Sequence, residues 1–177
     1  MKTNTPDNTG ATTEQSVQEI ARALRAVLDQ IEPMLRALSE SAAAARPRPG
    51  KWSPKEILGH LIDSAGNNQQ KFVRTLAAST HLDFPGYEQD AWVAVQQYQS
   101  ADWPELIDLW VALNRHLAHV IAHAPEEALE HTISINGAGR FTLHFIMADY
   151  VEHLKHHLLQ IFPQAPLESR FSNVYHA

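Results

Sequence analysis

The stretch "LHFIMADYVEHLKHHLLQIF", residues 143–162, decides the architecture. Leu143, Ile146, Met147, Tyr150, Val151, Leu154, Leu158 and Ile161 recur at three- and four-residue intervals, the period at which side chains share one face of an α-helix. Pro163 cannot continue such a helix, so one is expected over roughly residues 142–162. A helix with a single apolar stripe must bury it against other elements. The rest of the chain has to supply them.

Three further stripes lie upstream. Val17, Ile20, Ala21, Leu24, Val27, Leu28, Ile31, Leu35 and Leu38 mark a first helix, with Pro33 expected to bend it and "RPRPG", residues 46–50, to end it. The second helix has a marked start in "WSPKEI". Ser53 can cap, Pro54 suits the first helical position, and Glu56 completes a capping box. Leu58, Leu61, Ala65, Phe72 and Leu76 carry its stripe to about residue 79. A third helix is expected from about Pro104 to Ala124, through Leu106, Leu109, Trp110, Leu113, Leu117, Val120 and Ile121.

Between helices two and three runs a long connection, residues 80–103. It holds a Pro85-Gly86 turn, and a short helical turn is expected around "DAWVAVQQY". Loops of that length are uncommon unless functional. Tyr87, Asp90 and Trp92 suit a wall over a site, or equally a cover on the end of the bundle. In "EHTISINGAGRFTL" the period falls to two, and Asn136-Gly137 reads as a hairpin turn. The expected fold is therefore all-α: a four-helix bundle with one long crossover between helices two and three and a small β-hairpin before helix four. Residues 1–13 read as a disordered leader, 14–163 as the bundle and 164–177 as an irregular tail.

Composition excludes several functions. With 14 Lys+Arg against 20 Asp+Glu, a net charge of −6 and no basic cluster, the chain lacks the footprint of a nucleic-acid binder. It has no cysteine, which removes disulfides, thiolate zinc sites and a cysteine nucleophile. No run of about 18 apolar residues could span a bilayer, and "MKTNTPDNTGATTEQ" has no apolar core of a secretory signal. A cytoplasmic protein is expected.

Imidazoles are plentiful, 11 in all. His153 and His157 stand four apart on helix four, the spacing at which two side chains can reach one ion. His156 points away from the stripe, toward solvent or behind the other two. Helix three offers a rival set, His116, His119 and His123, and spacing does not choose between them. His60 falls on the flank of the helix-two stripe. Glu56 and Asp63 are placed to pair with it. Asn67 and Asn68 are polar groups beside the same stripe, suited either to a pocket wall or to a weak helix segment.

"KWSPKEILGHLIDS" (51–64), "LNRHLAHVI" (113–121) and "DYVEHLKHHLLQI" (149–161) together resemble the DinB-like superfamily, over about residues 17–163. The resemblance implies a four-helix bundle in which one histidine of helix two and two of helix four bind a divalent metal. Those positions are His60, His153 and His157 here. Zinc, nickel and iron all suit imidazole. Three neutral imidazoles leave coordination positions open, as a catalytic site requires. Activities in similar proteins include S-transfer with low-molecular-weight thiols such as bacillithiol, isomerisation with mycothiol, and hydrolysis. Metal-bound histidines commonly donate their second ring N–H to a carboxylate. Asp149 is the preferred such partner, ahead of Glu56 and Asp63. Two readings stand: a metal-dependent transferase or hydrolase acting on a small molecule, with or without a low-molecular-weight thiol cosubstrate, or a non-catalytic binding or assembly module with a structural metal or none. A homodimer is compatible with both.

Overall fold

The computed structural model describes residues 15–78 and 80–174, so the leader expected at 1–13 lies outside the described residues. Four long helices form the bundle: α1 (Val17–Ala37), α3 (Pro54–Ala77), α5 (Trp103–Ala122) and α6 (Leu143–Ile161). Two short helices join them, α2 (Glu40–Ala44) and α4 (Gln89–Gln96). No helix among the described residues is long and apolar enough to cross a membrane.

Helix starts follow the local chemistry. Ser16 and Ser53 each accept a hydrogen bond from the backbone N–H three residues on, and Glu19 and Glu56 reach back to the cap. These reciprocal bonds satisfy amides that would otherwise be orphaned. Asp102 caps α5 and Thr142 caps α6 in the simpler way. The first helix runs unbroken through Pro33 and stops at Ala37. Ser39 then caps the separate α2, so the chain turns well before the RPRPG segment.

The stripes meet as expected, with one exception. α1 packs on α5 and α6, and α3 packs on the same two, so α1 and α3 occupy one diagonal and α5 and α6 the other. Inside sit Leu24, Leu28, Ile31, Leu35, Leu58, Leu61, Phe72, Trp110, Leu117, Met147, Leu154 and Leu158, all essentially inaccessible. Across the second diagonal the buried Tyr150 hydroxyl donates to Asn114 Oδ1. Leu109, assigned above to the buried face of the third helix, is instead half exposed, and Ile107, Val111 and Asn114 take that face.

The hairpin is present, as β2 (Thr132–Ile135) and β3 (Ala138–Thr142). Asn136 and Gly137 have φ of 53° and 74°, the left-handed pair that a tight hairpin turn demands. A third strand, β1 (His81–Phe84), pairs parallel to β2 and makes the sheet three-stranded, in the order β1-β2-β3. It lies within the connection, where the sequence pattern predicts only a turn and a short helical turn. α4 does form there and covers the flank of α3 through the buried Val93.

Candidate metal centre

The first half of α3 is buried on every side: each residue from Lys55 to Ala65 is inaccessible or nearly so. α5 and α6 cover its bundle face, while α2, α4 and the Tyr98–Ser100 turn cover the rest. Close approach is needed for this. A Cβ on Gly59 would fall inside the ring of Tyr98. The hydroxyl of that tyrosine donates to Asp63 Oδ1 at 2.6 Å. His60, one residue beyond Gly59, is completely buried. It packs against Trp52, with ring centroids 5.2 Å apart.

α6 presents His153 and His157 to this position from the neighbouring helix. The ring of His60 lies 5.3 Å from that of His153 and 4.6 Å from that of His157, and the two α6 rings are 4.5 Å apart. One nitrogen from each residue falls within 4.8 Å of the other two, a group able to hold a metal ion. His60 Nε2 and His153 Nε2 are separated by 3.4 Å. Nitrogens about 2.1 Å from a tetrahedral zinc stand about 3.4 Å apart. The pair is therefore spaced as two ligands of one ion would be.

Electrostatics agree. Burial holds the His60 imidazole down to about 4 from its ordinary 6.5, and burial with the neighbouring rings takes His157 to about 3. His153 is pushed well below the usual range by burial, then by its histidine neighbours and Lys71. All three rings are neutral at neutral pH, so their lone pairs are available. His153 Nδ1 has Ser64 Oγ at 3.4 Å. The Nδ1 atoms of His60 and His157 are buried with no hydrogen-bond partner among the described residues.

The expected carboxylate partners of His60 are engaged elsewhere. Glu56 binds the guanidinium of Arg46 and the backbone N–H of Ser53, at 2.8 Å in the second case. Asp63 accepts from Tyr98 and Gln96. Both are buried, so neither is a surface charge. Asp149 lines the same cavity as His153 and His157, one turn before His153. The rival set on the third helix is exposed at all three positions.

That cavity, about 480 Å³, opens beside the histidines and is within the usual range for small-molecule sites, about 300–1,000 Å³. Ser64, Asn68 and Lys71 of α3, Gly86, Tyr87 and Gln89 of the connection, and Asp149 and Tyr150 of α6 line it. Residues of the connection thus form a wall as well as a cover. Asn68 lines it with its Nδ2 tied to Ser64 O at 2.9 Å, whereas Asn67 bonds back to Asp63 O. The C-terminal segment contributes too. Ser169 Oγ donates to Glu152 O at 2.9 Å and Arg170 N to Glu152 Oε2 at 2.6 Å, which lays Phe171 against His153 and the exposed His156. Irregular in backbone, the tail is nonetheless docked; neither Phe171 nor Lys71 had any periodic signal to reveal it.

The profile of the DinB superfamily matches residues 23–161. This chain belongs to the DinB superfamily. Among solved structures it is similar to YfiT from Bacillus subtilis, described as a probable metal-dependent hydrolase with an unusual four-helix bundle topology. The identity is 20%, the TM-score 0.76, and 90% of each chain is covered. Two structures of the mycothiol-dependent maleylpyruvate isomerase, one of a mutant, match at 10% identity with TM-scores of 0.67 and 0.64. They cover 90% of this chain and 65% of the isomerase. At such identities the likeness is one of fold. No curated protein matches. For this DinB-superfamily chain, four-helix architecture and family membership agree, and the histidine cluster sits where α3 and α6 meet.

Proposed function

We propose that this protein is a divalent-metal-dependent enzyme, hydrolytic or thiol-transferring, acting on a small molecule in the cytoplasm. His60, His153 and His157 would hold the ion. The observation that carries the reading is the convergence of three neutral imidazoles from two helices, one fully buried and two half-buried, with two Nε2 atoms at ligand spacing. Buried nitrogens left without protein partners are costly unless something else satisfies them.

Bound there, a divalent ion would supply Lewis acidity. The chain's own residues do the rest. Burial of the three rings keeps them unprotonated. Ser64 fixes the ring of His153, and Asp149, one turn before it, is the proposed carboxylate support for the α6 ligands. Tyr87 and Phe171 line the cavity and would help to limit water beside the ion. Since the chain has no cysteine, any thiol in the reaction must arrive as a cosubstrate. The likeness to a probable metal-dependent hydrolase supports the hydrolytic form, and the likeness to a mycothiol-dependent isomerase supports the thiol form.

Metal analysis of tag-free protein tests the assignment. About one zinc, nickel or iron per chain is expected, lost in His60→Ala and His157→Ala while helical circular dichroism is retained. A fold that survives chelation favours an open, catalytic site. Wild-type protein without metal, or variants that keep it, would defeat the proposal.

A further inference from the structure

α3 carries two buried lysines with opposite surroundings. Lys55 is 2% exposed, and its ammonium is held by the Glu40 carboxylate and by the Ala101 carbonyl at 2.5 Å. Lys71 is 8% exposed, four turns further along the same helix, and lines the cavity beside His153 and His157. Among the described residues no carboxylate and no hydrogen-bond acceptor stands within bonding distance of its ammonium. Burial alone acts on its protonation, lowering it to about 8, so it is mostly charged at neutral pH. A largely desolvated cation without a counter-ion is costly to keep. Lys55 shows how this fold compensates such a charge where the role is structural.

We propose that Lys71 is the anchor for a carboxylate on the small molecule that enters this cavity. The inference rests on the functional reading above and narrows its substrate class to carboxylic acids. Two features select a carboxylate over a phosphate. Among the described residues Lys71 is the only lysine or arginine lining the cavity, and Asp149 lines it as well, which suits a ligand of single rather than double negative charge. Three neutral imidazoles would also leave the charge of an ion uncancelled, so an anionic group is favoured at this end of the cavity. Tyr87, whose phenol is kept protonated by burial and by Asp63, stands on the same wall as a neutral hydrogen-bond donor.

Benzoate and benzamide have the same shape and differ in charge. Calorimetric or NMR titration of both into the protein, as purified and after metal removal, gives the test. Benzoate is expected to bind metal-free wild type at least ten-fold more tightly than benzamide. Lys71→Met and Lys71→Gln should each abolish that preference and leave metal content unchanged, whereas Lys71→Arg should restore part of it. Equal affinity for the two probes in wild type, or a preference that survives both neutral variants, overturns the inference. Failure of the metal reading is separately visible. If wild type holds no metal yet Lys71→Met still loses benzoate, the lysine subsite stands and the metal centre falls.

Discussion

The ring of Phe171 stands edge-on to that of His153, with centroids 5.1 Å apart and planes at 76°. A residue from the irregular C-terminal segment therefore closes the side of a cluster built on two helices. Glu152 holds it there by accepting from Ser169 and Arg170.

Removing that ring should open the site without dismantling it. Phe171→Ala is expected to keep the metal but release it to a chelator several-fold faster than wild type, at a stability cost of about 1 kcal/mol. Stopped-flow release into a chromogenic chelator reads the rate. Identical rates in the two proteins would mean that the segment does not guard the histidines.

Acid should destabilise the metal-free protein in a defined window. The folded-state values of His60 and His157 lie at about 4 and about 3, below the 6.5 of the unfolded chain. Between those limits the unfolded state binds more protons, so stability is full above about pH 6.5 and is lost as pH falls toward 4. Each buried imidazole contributes up to about 1.4 kcal/mol per pH unit. Urea melts of chelated protein from pH 7.5 down should show this slope, and His60→Gln should flatten it. A slope indifferent to that substitution would argue against a neutral, buried His60.

α1 is legible because it has one buried face: every position named within it is buried, and Leu38, just past its end, is partly so. His60 was not legible by periodicity. Where α3 is covered all round, no polar face remains against which to read a stripe, so a histidine on its flank is as buried as Leu58 or Leu61. Only the motif resemblance singled it out. β1 was missed for a different reason. Its four residues owe their conformation to Thr132–Ile135, some fifty residues later, and parallel pairing leaves no local turn signal. Lys71 escaped because a lysine in a helix ordinarily marks solvent.

Gly59 tests whether the cover over α3 is as close as described. Alanine is the better helix former by about 1 kcal/mol, so an open site would be stabilised by the change. Here the added methyl would meet the ring of Tyr98 and displace its hydroxyl from Asp63. Gly59→Ala is therefore expected to lose about 2 kcal/mol, the usual scale of overpacking, and to loosen metal binding at His60 next door. Chemical denaturation decides the sign, and a gain in stability would show that Tyr98 is free to move away.

Lys71 should cost the fold what it offers a ligand. Its folded-state value of about 8 lies below the 10.5 of an unfolded lysine, so between those limits the unfolded chain holds more protons. Stability of metal-free wild type relative to Lys71→Met should consequently rise from pH 8 toward pH 10, by up to about 1.4 kcal/mol per unit. At pH 7 the penalty is complete, and Lys71→Met should be the more stable protein by about 1–3 kcal/mol, as when other buried charges give way to apolar side chains. Paired denaturation curves at several pH values isolate the difference from every other titrating group. A variant less stable than wild type at pH 7, with a gap that does not change with pH, would mean that the ammonium is already compensated and has no need of a carboxylate from outside.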